Sequence, residues 1–166
     1  MKVLWAVPVI LVFDQSSKIV VQQTMVRRES IPVLGDYFRL TYIHNPGAAF
    51  GLDLGSSLLH TLISIAALLF VGWLFFTTPR ESRCLRLGLS MVVGGALGNI
   101  VDRLYLGAVV DFFDFGFGAL RWPVFNVADS FVTAGIFLLA TGYLVQREKD
   151  KTSPGRKRPG DQVLEG

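Results

Sequence analysis

Residues 123–145, PVFNVADSFVTAGIFLLATGYLV, form an almost wholly apolar run in which Asp129 stands at the sixth position counted from Val124. A run of about 20 apolar residues is long enough to cross a bilayer as a helix. An ionisable side chain inside such a run is costly and marks either a functional site or a paired group. The segment therefore predicts a membrane helix, and Asp129 is the first residue that needs a chemical explanation.

Three more apolar segments occur in the chain, which has 166 residues, 51% of them hydrophobic, and a mean hydropathy of +0.48. The four predicted spans are residues 3–21, 57–76, 85–101 and 124–145. This composition is too apolar for an ordinary soluble domain and is typical of a small membrane protein. We predict an all-α membrane protein with four transmembrane helices in one membrane-embedded domain, residues 1–146.

The first apolar segment has an alternative interpretation as a cleaved signal peptide, because Lys2 precedes the apolar run 3–13. A cleavable signal ends in a small-residue cleavage site, whereas here the polar stretch DQSSK begins at Asp14. We therefore expect a retained first helix.

The distribution of Lys and Arg predicts the topology. The connection between the second and third spans holds Arg80, Arg83 and Arg86, and the tail 147–166 is also basic. The positive-inside rule places both in the cytoplasm, although Arg27, Arg28 and Arg39 in the first outer loop weaken the bias. Residues 22–56 and 102–123 then face outwards. The tail is polar and rich in Pro and Gly, which predicts a disordered, basic cytoplasmic segment rather than a nucleic-acid site.

The outer loop between the first two spans carries a strand pattern. In YFRLTYIHN, residues 37–45, aromatic and β-branched residues dominate, and turn-forming residues flank the run on both sides. We expect a small β-sheet on the outer surface of the membrane.

Several polar residues inside the apolar segments are spaced as neighbours on a helix. Asp14 and Lys18 are four residues apart, which predicts an ion pair with a structural role. In the third span Ser90, Gly94 and Gly98 form a small-residue face suited to close helix packing. The same helix then presents a polar cluster at its outer end: Asn99, Asp102 and Arg103.

Asp111 and Asp129 are the candidate catalytic residues, because both are flanked by apolar residues at similar depth near the outer interface. Two carboxylates in a partly apolar site share one proton, so one can act as base towards water and the other as acid. Asp111 as a turn residue and Asp129 as a helix-end charge are the structural alternatives. Asp114 is the alternative to Asp111 as the partner of Asp129, but its neighbours Gly116 and Gly118 indicate that it is a loop residue.

No metal-binding spacing or serine-protease motif is present in the sequence, so we expect neither a metal nor a cofactor.

Five ordered motifs resemble bacterial lipoprotein signal peptidase (signal peptidase II): DQSSK at 14–18, HNPGAAFG at 44–51, GGALGNIVDR at 94–103, VVDF at 109–112 and FNVADS at 125–130. Only Pro46, where the family often has Thr, departs from them. The resemblance implies an aspartic endopeptidase of the bacterial inner membrane with a small periplasmic sheet. Its substrates would be prolipoproteins, cleaved before a cysteine that carries diacylglycerol, and globomycin would inhibit it.

The same resemblance implies roles for individual residues. Asp111 and Asp129 fall on the family's catalytic positions. Substrate-binding or site-shaping positions correspond to Asn45, Asn99, Arg103 and Asn126, and supporting polar positions to Asp14, Lys18 and Asp102.

Two other classes of membrane protein, a transporter and a scaffold, account for fewer of these polar residues. A proton- or ion-coupled transporter also carries intramembrane acids, but it usually places them at the midplane between internal repeats. A membrane scaffold that packs through the small-residue face of the third span leaves Asp111 and Asp129 without a role.

Overall fold

The computed structural model describes residues 2–47 and 57–152. A short 3₁₀ turn, Lys2–Trp5, leads into the first of four α-helices. The helices are α1 Ala6–Thr24, α2 Ser57–Thr77, α3 Arg83–Leu106 and α4 Val127–Thr152. Each contains a stretch long and apolar enough to cross a membrane, judged by length and composition. The prediction of four membrane helices is thus confirmed.

Helix α3 is the central helix and packs against the other three. Its predicted small-residue face approaches α1, with Gly94 against Ile10 and Gly98 against Asp14. A second glycine face, which the sequence analysis missed, packs on α4. A Cβ added at Gly95 would lie 2.4 Å from the carbonyl oxygen of Ala128, so only glycine allows this approach. These contacts bring the amino-terminal end of α4 next to the polar end of α3.

The strands are β1 Ser30–Leu34, β2 Phe38–Asn45, β3 Val109–Phe117 and β4 Leu120–Arg121. They form one antiparallel sheet in the order β1-β2-β3-β4. Strand β2 confirms the strand predicted at 37–45. Strands β1, β3 and β4 were not predicted individually, and the expectation that Asp114 is a loop residue is wrong because it lies inside β3.

A small apolar cluster attaches the sheet to the bundle. Val21 and Met25 at the end of α1 pack with Tyr42 of β2 and with Val110 and Phe112 of β3. The face of β3 that carries these residues is therefore closed by α1. Asp111, between Val110 and Phe112, points to the opposite face, since side chains alternate along a strand.

Helix α4 begins at Val127, three residues later than the predicted span. Phe125 is paired with Phe113 of β3 through backbone hydrogen bonds, as an isolated bridge beside the sheet, and residues 124–126 are not helical. Asp129 consequently lies in the first turn of α4. The predicted span 124–145 would place it about one and a half turns inside the helix, and this expectation is wrong.

Other predicted boundaries also shift. Helix α3 runs to Leu106, past the predicted end at 101, so Asp102 and Arg103 are helical. Helix α4 continues to Thr152, beyond the start of the tail predicted at 147. Residues 153–166, and residues 48–51 of the HNPGAAFG motif, lie outside the described part of the chain.

Candidate active site

Asp111 is buried on β3, 1% exposed, with its carboxylate held by two asparagine amides. Asn45 donates from Nδ2 to Oδ2 at 2.9 Å, and Asn126 donates from Nδ2 to Oδ1 at 2.7 Å. Asn45 is at the end of β2, the strand paired with β3, and Asn126 immediately precedes α4. Three separate elements thus meet at this carboxylate.

Asp129 is held by α3 and by the start of its own helix. Asn99 donates from Nδ2 to Asp129 Oδ1 at 2.7 Å. The backbone N–H of Asn126 donates to Asp129 Oδ2 at 3.3 Å, while Asp129 N donates to Asn126 Oδ1 at 2.9 Å. This reciprocal pair has the form of a capping box, which satisfies N–H groups at a helix start. Asp129 therefore does have a structural function, in addition to facing the cavity described below.

The oxygen atoms of the three asparagines are all occupied elsewhere. Asn126 Oδ1 accepts from Asp129 N, and Asn45 Oδ1 accepts from Gly47 N at 3.0 Å. Asn99 Oδ1 accepts from Lys18 Nζ and from Asn126 Nδ2, each at 3.0 Å. Each amide consequently turns its NH₂ group towards Asp111 or Asp129. The two carboxylates are surrounded by neutral donors.

The pKa of Asp111 is raised to about 7. Burial is the largest cause, and the charge of Asp129 adds to it. Hydrogen bonds from Asn45 and Asn126 and the positive charge of Lys18 act in the opposite direction. A carboxyl group with such a pKa gains and loses a proton near neutral pH, which is the property required of an acid–base catalyst.

A separate ionic cluster lies behind the asparagines. Lys18 Nζ is 2.8 Å from Asp14 Oδ2 and 2.8 Å from Asp102 Oδ2, and all three side chains are at most 4% exposed. The predicted ion pair between Asp14 and Lys18 is confirmed. Gln15, which sequence analysis did not select, donates to both carboxylates.

A cavity of about 730 Å³ opens beside the two aspartates. Its polar end is lined by Asn45, Asn99, Arg103, Asp111 and Asp129. Five of the predicted residues therefore line one cavity, whereas the buried residues Asn126, Asp14, Lys18 and Asp102 do not line it.

Arg103 is the positively charged residue on the cavity wall. Its NH1 reaches only the carbonyl oxygen of Asn99, at 3.5 Å, and its buried Nε has no hydrogen-bond partner within the described ranges. It interacts electrostatically with Asp129, Asp111 and Asp102. Its guanidinium therefore has donors available for another molecule in the cavity.

The apolar part of the cavity was not foreseen. Trp122, Pro123, Val124 and Phe125 form one wall, and the α4 residues Val132, Ile136 and Phe137 continue it along the helix. Residues 122–125 owe this position to the β3–β4 hairpin, which the sequence analysis treated as loop. No group of three or more potential metal ligands occurs among residues 2–47 and 57–152.

The four membrane helices and a cavity with two facing carboxylates define a multi-pass membrane protein with a polar site suited to acid–base chemistry. The family model described as Signal peptidase (SPase) II matches residues 6–145. The chain belongs to the signal peptidase II family, and is accordingly a membrane protease of lipoprotein processing.

Curated relatives and solved structures agree with this membership. A lipoprotein signal peptidase of Pelotomaculum thermopropionicum is 47% identical over 92% of this chain and 96% of its own. One from Desulforapulum autotrophicum is 41% identical over 86% of this chain and 91% of its own. A solved bacterial membrane enzyme, determined by the in meso method at 2.3 Å resolution, has a TM-score of 0.81 and 27% identity, covering 95% of this chain and 94% of its own.

Proposed function

We propose that this protein is an aspartic endopeptidase that removes the signal peptide from prolipoproteins, cleaving before a diacylglyceryl-modified cysteine. The observation that carries the proposal is the meeting of Asp111 and Asp129 at one cavity, joined through Asn126, which donates to both. Such an arrangement supplies a base and an acid without a metal or a nucleophilic side chain.

Asp111 is the better candidate for the protonated member of the pair, because its pKa is raised to about 7. Ionised Asp129 then takes a proton from a water molecule as the water attacks the scissile carbonyl. Protonated Asp111 donates a hydrogen bond to the carbonyl oxygen and later a proton to the leaving nitrogen. The pair returns to one shared proton after each cycle, so no cofactor is consumed.

Arg103 and Asn45 are the candidates for aligning the substrate backbone. Arg103 lines the cavity, its Nε has no hydrogen-bond partner among the described residues, and a guanidinium offers several fixed N–H groups to peptide carbonyls. The substrate's diacylglyceryl group partitions into the bilayer, because each buried CH₂ contributes about 0.8 kcal/mol. The diacylglyceryl group thus holds the substrate's cysteine at the membrane surface, and the polar residues orient the peptide bond that is cleaved.

The proposed location is the bacterial inner membrane, with the cavity on the periplasmic side. The basic connection at Arg80, Arg83 and Arg86 lies at the opposite end of α3 from Arg103, as the positive-inside rule requires. Exposed aromatic side chains occur near both ends of the bundle, as expected for the two membrane interfaces: Trp5, Trp73 and Tyr143 near one, Tyr105 and Trp122 near the other.

The test is cleavage of a purified, lipidated prolipoprotein by the purified protein, followed as a gel shift. We expect cleavage that globomycin inhibits and that metal chelators and serine-protease inhibitors leave unchanged. The unlipidated precursor is the control and should be a poor substrate. Equal cleavage of both forms would contradict the proposed recognition, and absence of cleavage of the lipidated form would contradict the function.

A further inference from the structure

Lys18 uses all three of its N–H donors inside the protein. Its ammonium contacts Asp14 Oδ2 and Asp102 Oδ2, each at 2.8 Å, and Asn99 Oδ1 at 3.0 Å. The side chain is 1% exposed and has no access to the cavity. It therefore cannot contact a substrate, and any effect on the reaction must pass through its three partners.

Each carboxylate that contacts Lys18 also holds the backbone next to one member of the catalytic pair. Asp102 Oδ2 accepts the N–H of Val110 at 3.0 Å, and Val110 precedes Asp111. Asp14 Oδ1 accepts the N–H of Ala128 at 2.9 Å, and Ala128 precedes Asp129. The backbone N–H groups of the two residues that precede Asp111 and Asp129 are thus bound by carboxylates that share one ammonium.

Asn99, the third partner of Lys18, connects it to the side chains of Asp111 and Asp129. Because Lys18 occupies Asn99 Oδ1, the amide of Asn99 turns its Nδ2 towards Asp129. Asn126 donates to the same Asn99 oxygen and to Asp111 Oδ1. Rotation of the Asn99 amide would bring its oxygen against the carboxylate of Asp129.

We infer that Lys18 is a positioning residue for the proposed peptidase reaction, which sets the separation of Asp111 and Asp129 and the orientation of the Asn99 amide. The inference rests on the proposed function. Without the ammonium, Asp14 and Asp102 become two buried like charges, and their repulsion separates the backbone segments that they hold. A displacement near 1 Å at a catalytic group can reduce the rate by about 100-fold.

The experiment measures kcat and KM for the lipidated prolipoprotein with Lys18→Met. This variant leaves unpaired buried charges, so the neutral triple variant Asp14→Asn/Lys18→Met/Asp102→Asn is prepared beside it. Arg86→Met is the matched control, because Arg86 donates to the carbonyl oxygens of Phe75 and Thr78 at the other end of α3. The unfolding temperature of each protein separates loss of stability from loss of positioning.

The dependence of kcat on pH gives a readout that stability alone does not change. The charged groups that act on Asp111 are Lys18 of α1, Arg103 of α3 and Asp129 of α4, and the amides of Asn45 and Asn126 donate to it. Asp102 of α3 binds the N–H of the preceding residue, Val110. Lys18 lowers the pKa of Asp111, so its removal raises that pKa further. The alkaline limb of the profile of Lys18→Met should therefore move to higher pH.

We expect at least a tenfold lower kcat, with KM within about twofold, for Lys18→Met and for the triple variant. Arg86→Met should lower the unfolding temperature while kcat and the pH profile stay unchanged. A folded variant that retains kcat within threefold, an alkaline limb that does not move in Lys18→Met, or failure of both variants to fold would overturn the inference. Failure of the proposed function is distinguishable, since it would show as activity in Asp111→Asn.

Discussion

Strand β3 carries two buried aspartates, three residues apart, in contrasting surroundings. Asp111 is contacted by the neutral amides of Asn45 and Asn126 and faces the cavity. Asp114 is 5% exposed, is ion-paired with Arg121 at 2.7 Å, and accepts from Thr41 Oγ1 at 2.6 Å. Their odd spacing sends the two side chains to opposite faces of the strand.

The contrast separates a structural acid from an acid suited to catalysis. Arg121 compensates Asp114 with an opposite charge and also donates to the carbonyl oxygen of Asp36, so that pair fastens the β3–β4 hairpin. Among the described residues, the hydrogen bonds to the Asp111 carboxylate come from neutral amides, and burial together with the like charge of Asp129 raises its pKa to about 7. Burial alone does not identify a catalytic carboxylate, whereas the nature of its partners does.

The largest effect is expected when either member of the proposed catalytic pair, Asp111 and Asp129, is replaced. Asp111→Asn and Asp129→Asn should each lower kcat by roughly 10²- to 10⁴-fold, because each removes a proton-transfer group while preserving volume. The double variant should be hardly worse than either single variant, since the two residues act as a unit. Kinetics on the lipidated prolipoprotein provide the measurement, and additive losses would argue against a shared mechanism.

Arg103→Ala should have the next largest effect. Loss of a charged donor costs about 1.5 to 3 kcal/mol, which corresponds to roughly a ten- to hundred-fold lower kcat/KM. The variant should remain folded in the detergent used for the unmutated protein. Arg83→Ala, at the exposed opposite end of α3, is the control and should cleave normally. An unimpaired Arg103→Ala would remove this residue from substrate alignment.

A smaller effect is expected from pH on the unmutated protein. If protonated Asp111 is the acid, kcat should fall about tenfold per pH unit well above pH 7, where the carboxyl group is ionised. The profile between pH 5 and 9 gives the measurement. A rate that stays constant from pH 7 to 9 would exclude Asp111 as the protonated member.

The smallest effect concerns stability. The pKa of Asp111 is about 7 in the folded protein against an ordinary 3.8, so the folded form binds the proton more tightly. The resulting stability is present below pH 4 and is lost as the pH rises through 7. Asn carries no such proton. The unfolding temperature of Asp111→Asn, relative to the unmutated protein, should therefore rise between pH 5 and 8, and a flat or falling difference would contradict the raised pKa.

The membrane helices were predictable because long apolar runs leave few alternatives. Strand β3 was not, since Val109, Val110, Asp111 and Phe112 are all buried and the strand lacks the alternation of a half-exposed strand. The start of α4 was missed for a related reason, because Val124 and Phe125 are as apolar as the helix that follows. The pairing of Phe125 with Phe113 of β3 depends on a contact that sequence periodicity does not contain.

The site was predictable as a set of residues but not as an arrangement. The spacing of Asp14 and Lys18 on one helix indicated their ion pair. The second partner of Lys18 is Asp102, more than eighty positions away in the chain. It comes close because α1 packs on the small-residue face of α3, at Gly94 and Gly98. Asp114 was misassigned because the two glycines after it indicate a loop, whereas it pairs with Arg39 of β2 in the sheet and its side chain is ion-paired with Arg121 across the hairpin.

We propose that Asp111, and not its neighbour Asp114, works with Asp129 in the reaction. The most direct measurement compares the initial rates of cleavage of one lipidated prolipoprotein by Asp111→Asn and Asp114→Asn, at equal concentrations of folded protein. We expect Asp114→Asn to retain a rate within about threefold of the unmutated protein, while Asp111→Asn cleaves at least 100-fold more slowly. Substantial cleavage by Asp111→Asn, or its loss only in Asp114→Asn, would contradict the account.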